Sequence, residues 1–242
     1  MYVGEKEGTN PYADNIFSSG SIVLVSMKSS DRMESLLSIL DDLVVNKGMG
    51  GVIISVSGPY EMIYSEMEEA GIPPEDVHFI DCISLMAGKL MGEKSDRAVF
   101  VENPSSLEEI SMYLDRMLLN VESDKKFLIL DSLSSLMIYN SEKTVKEFGH
   151  FLINKVRLAD HKGILMSIER KGTEGLVHDL IPMCDAAIRW TDEYSQMLEN
   201  GMSIKEALIP KTMIQGKRTA GKVISAVDSF RRSWGDYLEI RL

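Results

Sequence analysis

The chain has 242 residues, 44% hydrophobic and 26% charged, which suits a folded protein with a substantial core and excludes a disordered one. Its net charge of −11 argues against a surface that wraps nucleic acid throughout, because phosphate binding needs clustered Lys and Arg. Two cysteines, Cys82 and Cys184, cannot build a disulfide framework and read as buried free thiols in a reducing, cytoplasmic compartment. Residues 1–18 form an N-terminal extension, polar and mixed in charge, without the apolar run of a secretory signal. No window of the sequence approaches the ~18 apolar residues of a membrane span, so no membrane contact is expected.

Ile22 to Val25 is a continuous apolar run, the pattern of a strand buried on both faces. Met33, Leu36, Leu37, Leu40, Leu43 and Val44 come next at helical spacing, with Ser30 or Asp31 as the expected N-cap. The glycines of Asn46 to Gly51 read as the residues that end this helix and turn the chain. Val52 to Val56 predicts a second strand, residues 60–70 an acidic helix closed by Gly71, Val77 to Ile80 a third strand and Ala98 to Val101 a fourth. Ser105 and Ser106, each with a glutamate three residues on, read as overlapping capping boxes. They open a helix with Leu107, Ile110, Leu114, Met117 and Leu118 on its inner face.

Phe127 to Asp131 is the next strand, and Val145, Phe148, Leu152, Val156 and Ala159 line the helix after it. Gly163 to Ile168 and Ala186 to Trp190 are two more buried strands. Strands alternating with helices of these lengths mean a parallel sheet covered on both faces. Beyond residue 210 the pattern fits an antiparallel hairpin or a short terminal helix. With no repeat or linker, residues 19–242 read as one domain. The methionines, 16 in all, read as adaptable core filler, and His78, His150, His161 and His178 show no metal-ligand spacing.

The motif that carries chemistry is Phe127-Leu128-Ile129-Leu130-Asp131, four apolar residues ending in a carboxylate. In P-loop NTPases such an aspartate closes a buried strand and holds the magnesium of bound nucleotide. The glycine-rich phosphate loop should then come directly after the first strand. That place reads Ser26-Met27-Lys28-Ser29-Ser30-Asp31-Arg32-Met33, without a glycine. If Lys28-Ser29 stood for the Lys-Ser pair of that loop, its two glycines would fall at Ile22 and Met27. Side chains there crowd the nest of backbone N–H groups that cradles phosphate.

The order of these segments resembles the RecA-like ATPases, and within them the KaiC-like branch common in archaea. Ser19 to Val25 is similar to that branch's approach to its first strand, Phe127 to Leu133 to its Walker B segment, and Gly163 to Glu169 to its next strand. Leu180 to Trp190 is similar to the stretch that carries its Asp-Gly-Val-Ile strand, so the resemblance spans residues 19–195. Family members that have lost the phosphate loop carry a segment like Phe79 to Ser84. The resemblance implies a three-layer α/β fold with a mainly parallel sheet, of the RecA-like P-loop NTPase type. It also implies catalytic acidic residues just after the second strand. There the sequence has Ser57-Gly58-Pro59-Tyr60, with the first carboxylate at Glu61 inside the next helix.

Two other stretches partly match a phosphate loop. Gly88 to Ser95 has a glutamate, Glu93, where the second glycine belongs, and leads into a strand rather than a helix. Gly216 to Val223 fails only at its last position but comes after the Asp131 strand. Residues 211–242 carry seven basic against three acidic residues, a local +4 that leaves the body at −15. Lys217, Arg218 and Lys222 form a basic interaction patch within this segment, 210–242.

The expectation is a non-catalytic, pseudo-ATPase domain that works through protein association or self-association in regulation, signalling or scaffolding, with no cofactor. One alternative is an ATP hydrolase with an atypical phosphate site at Lys28, Ser29 and Ser30, or at residues 216–223, and magnesium on Asp131. Another is a nucleic-acid accessory factor that binds through the basic segment.

Overall fold

A computed structural model describes residues 21–89 and 95–190. Seven strands form one sheet: β1 (Ile22–Met27), β2 (Gly50–Ser55), β3 (Val77–Asp81), β4 (Ala98–Phe100), β5 (Lys126–Asp131), β6 (Lys162–Ile168) and β7 (Ala186–Arg189). Their spatial order is β4-β3-β2-β5-β6-β1-β7 and every pairing is parallel. The strands are mainly apolar because both faces are covered, with polar residues gathered mostly at their ends. In β1, Val23, Val25 and Met27 point into one core and Ile22 and Leu24 into the other, the two-residue period of a strand.

One core is closed by α1 (Arg32–Leu40), through Leu36, Ile39 and Leu40, and by α2 (Tyr60–Glu69), through Ile63 and Met67. The opposite core is closed by α3 (Leu107–Asn120), α4 (Leu133–Leu136), α5 (Glu142–Leu158) and α6 (Glu174–Leu180). The result is the expected three-layer α/β arrangement with a parallel sheet. No helix among the described residues is long and apolar enough to cross a membrane.

Several local expectations are corrected. Gly50 and Gly51 are not turn residues but the first residues of β2. A Cβ on Gly50 would lie 1.9 Å from Asp76 Oδ2, and one on Gly51 2.4 Å from the Phe127 ring, so close packing demands glycine. The turn is left to Gly48, whose φ of +60° suits a residue without Cβ. The capping boxes do not form: Ser106 precedes α3 without a side-chain cap, and the Ser105 N–H donates to Asn103 Oδ1 instead. Ala159 is exposed at the end of α5 rather than inward. Met62, Met86 and Met112 are exposed, unlike the core methionines Met27, Met67 and Met166. Residues 1–18 and the basic segment 210–242 lie outside the described residues.

Candidate functional site

The carboxyl ends of the strands bring together the loops after β1, β2 and β5, the region where open parallel sheets bind ligands. After β1, Lys28 is extended and exposed, and Ser29–Asp31 makes one 3-10 turn into α1. Ser29 and Ser30 are also exposed, and the Ser30 hydroxyl donates to Asp31 Oδ1. The Asp31 side chain caps nothing at the start of α1. Its Oδ2 is buried with no hydrogen-bond partner among the described residues.

Asp131 ends β5 at 0% exposure, and its partner is Arg32. Arg32 Nε lies 3.0 Å from each carboxylate oxygen, and Nη2 also donates to Oδ2. A planar guanidinium suits such a two-oxygen grip. Asp131 is therefore held in an ion pair at the buried end of its strand, while Lys28, Ser29 and Ser30 are exposed. From this segment the structure brings Arg32 onto Asp131, a contact across 99 positions of sequence.

The loop after β2 closes over this pair. Val56 and Ser57 N–H groups donate to the Asp131 carbonyl at 2.7 and 3.1 Å. Ser57 Oγ lies 2.9 Å from Ser135 Oγ and 3.3 Å from Ser132 Oγ. Ser132 caps α4 by accepting from the Ser135 N–H, while Ser134 Oγ accepts from Ile168 N–H at 2.7 Å. A Cβ on Gly58 would sit 3.9 Å from Arg32 Nη2, at ordinary van der Waals contact, so this loop lies directly beside the guanidinium. The place after β2 where the resemblance implies acidic residues is thus a hydroxyl network, and Glu61 pairs with Lys89 at 2.7 Å.

A second buried carboxylate escaped the sequence reading. Asp81 ends β3 on the same rung as Ser55 of β2 and Asp131 of β5. Its hydrogen-bond partners are neutral. Tyr60 N–H and Ser84 Oγ donate to Oδ2, and Ile83 and Ser84 N–H to Oδ1, all within 2.8 Å. It ties the start of α2 to the turn after β3. The signals in sequence were its place within the segment Phe79 to Ser84 and an aspartate closing a mainly apolar strand, as at Asp131. Beside it, burial and the neighbouring Asp81 charge push the Cys82 thiol far above its ordinary pKa, so Cys82 is a core residue rather than a nucleophile.

Of the two partial phosphate-loop matches, Gly88 to Ser95 does lead into a strand, with Ser95 Oγ accepting from the Arg97 and Ala98 N–H groups before β4. Residues 90–94 of it, the whole of 216–223, and Lys217, Arg218 and Lys222 lie outside the described residues.

A model for a family of unknown function, DUF7504, matches residues 23–190. The chain belongs to this family. No curated protein matches it in sequence. Among solved structures, an uncharacterized Pyrococcus horikoshii protein in complex with an unknown peptide is 12% identical to this DUF7504 chain. The TM-score is 0.53 over 72% of this chain and 78% of that one. A further structure from Pyrococcus horikoshii OT3 is 16% identical, with a TM-score of 0.50 over 74% and 86% of the two chains. A KaiC-like protein of the same hyperthermophile is 14% identical, with a TM-score of 0.49 over 74% and 78%. Identities this low speak to fold alone. The fold of this DUF7504 member is a three-layer α/β fold with a parallel sheet, shared with these structures.

Proposed function

We propose that this DUF7504 chain is a non-catalytic, pseudo-ATPase form of the RecA-like fold that acts by protein association, in a regulatory or scaffolding role. One observation carries the reading: the Arg32 guanidinium grips both oxygens of the buried Asp131 carboxylate. Asp131 is the group that would hold magnesium, and Arg32 comes from the segment that would hold phosphate.

Magnesium–nucleotide fits these residues poorly. A divalent ion on Asp131 would have to displace a cation already fixed there. At the start of α1, where a helix dipole favours phosphate, Asp31 presents a carboxylate with one buried oxygen that has no partner among the described residues. Ser26 to Met33 supplies no glycine to open a backbone nest. We therefore read the segment as a degenerate phosphate loop. Ser57 stands just after β2, where the resemblance implies water-activating carboxylates, and its hydroxyl, beside that of Ser135, does not take that proton.

With chemistry set aside, the remaining function is binding. A fold neighbour bound to an unknown peptide is one instance of such a domain engaging polypeptide. An acidic body with the basic segment that holds Lys217, Arg218 and Lys222 suits contact between unlike charges. The test is an ATP and GTP hydrolysis assay on the purified chain beside an Asp131→Ala control. Equal, background rates are expected. Turnover that Asp131→Ala abolishes would overturn the reading.

A further inference from the structure

α3 and α5 lie on the same face of the sheet and run in the same direction, since each leads into one of two adjacent parallel strands, β5 and β6. Asp115 of α3 and Lys155 of α5 pair across the seam between them. The Lys155 ammonium also sits 5.5 Å from the centroid of Phe151, whose ring stacks on the buried Phe148. Around this pair, folding leaves four large apolar side chains in water: Met112 at 64% exposure, Leu119 at 82%, Phe151 at 41% and Leu158 at 90%.

Helical spacing orders them. Met112 and Leu119 flank Asp115 one turn to either side, and Phe151 and Leu158 flank Lys155 in the same way. The seam therefore shows three rungs: Met112 beside Phe151, Asp115 beside Lys155, and Leu119 beside Leu158. Single exposed apolar residues are ordinary, but four grouped around one ion pair mark a contact surface.

We propose that this face joins two copies of the chain across a two-fold axis parallel to α3 and α5. Such an axis lays α3 of one copy on α5 of the other, in register, and repeats every contact twice. Each Met112 then meets Phe151 of the second copy, each Leu119 meets Leu158, and each Asp115 meets Lys155. Charge decides the geometry. An axis across the helices would set Asp115 on Asp115 and Lys155 on Lys155, whereas the parallel axis sets opposite charges together in both contacts. Asp115 is 67% exposed, so its carboxylate has room for a second ammonium. The proposal deepens the association part of the proposed function by giving it a surface, and it does not depend on the nucleotide part.

Sedimentation velocity on the full chain tests it. Wild type is expected to be a dimer. Leu119→Asp with Leu158→Asp changes two exposed side chains, so an unchanged circular dichroism spectrum is expected. It should weaken dimerisation roughly a hundredfold, as loss of central apolar anchors does. The charge exchange is more specific. Asp115→Lys alone and Lys155→Asp alone each set like charges across the axis, so each is expected to be monomeric. Mixed in equal amounts they should form a heterodimer, because every contact then joins opposite charges. A pair that serves only its own chain gives no association on mixing, and that result overturns the proposal. A wild-type monomer at high concentration overturns it together with self-association, and points to intramolecular cover of this face. A dimer that survives Leu119→Asp/Leu158→Asp but dissolves on replacing Lys217, Arg218 and Lys222 with Ala overturns this surface and leaves association standing.

Discussion

At the scale of single residues, the site rests on how two buried carboxylates are kept. Asp81 is held by neutral hydrogen-bond donors, and Asp131 by a cation, although both end apolar strands on one rung of the sheet. Asp131 has no exposure, so removing its cation leaves a charge that water cannot reach. Arg32→Ala is therefore expected to cost about 3–5 kcal/mol, the usual loss when one partner of a buried pair is removed. Urea denaturation measures it. A double replacement by apolar residues of similar volume, Arg32→Met with Asp131→Leu, should recover most of that loss, because it removes both desolvation penalties. If Arg32→Ala instead unfolds within about 0.5 kcal/mol of wild type, as a surface substitution would, the pair is not what holds this end of β5. Histidines set the pH response. Burial first, then the Arg97 charge, holds the His78 pKa below 6.5, and burial first, then Lys126, does the same for His161. The unfolded chain thus takes up protons near its ordinary histidine pKa that the folded chain refuses. This part of the stability is complete above pH 6.5 and falls as pH drops below it. Denaturation midpoints at about pH 7.5 and about pH 5.5 are expected to fall toward acid, and His78→Gln should flatten the difference.

At the scale of elements, the strands were legible because both faces of a parallel sheet are buried, so each reads as a mainly apolar run, broken inside only at single residues such as His78 of β3 and Ser167 of β6. Helix faces were legible for the same reason: Ile110, Leu114 and Met117 recur at the period of a helix and are all buried. Ends were less legible, since caps depend on loop geometry. Ser105 and Ser106 have the composition of a cap, yet Asn103 takes the available N–H. Gly50 and Gly51 read as a turn because glycine signals both freedom and closeness, and only the neighbouring elements decide between them. Here Asp76 accepts from the Glu122 and Ser123 N–H groups and fixes the α3–β5 loop against the start of β2, where a side chain would intrude. Asp131 could be singled out from sequence but its partner could not, because nothing local joins Arg32 to a strand 99 residues away. The two kinds of glycine give a direct comparison. Gly51→Ala pushes a methyl into the Phe127 ring and is expected to cost about 1–3 kcal/mol or more by overpacking. Gly48→Ala meets nothing within 4 Å and carries only the strain of positive φ, about 1–2 kcal/mol. Thermal melts of the two variants should rank them in that order, and the reverse would mean the β2 glycines have room that the packing denies.

For the whole molecule, the parallel-sheet fold, with a ligand-binding position at its strand ends, and the closed carboxylate pull in different directions, and ligand linkage decides between them. Any ligand that binds the folded state stabilises it by an amount fixed by its concentration and dissociation constant, whatever chemistry comes after binding. Nucleotide at 100 times its dissociation constant adds about 2.7 kcal/mol, which for a chain of this size is roughly 5–10 °C in melting temperature. A shift well below that range is expected for wild type with millimolar Mg-ATP, because Arg32 holds the carboxylate and no glycine opens the loop after β1. Arg32→Ala separates two reasons for such silence. If only the guanidinium excludes magnesium, the variant starts less stable and gains a full nucleotide shift. If the closed loop also excludes phosphate, it starts less stable and stays unresponsive. The second result is expected, since Asp31 and the side chains of Ile22 and Met27 remain in place. A full shift in wild type would show that this end of the sheet still takes nucleotide, and the atypical site at Lys28, Ser29 and Ser30 would then displace the pseudo-ATPase reading.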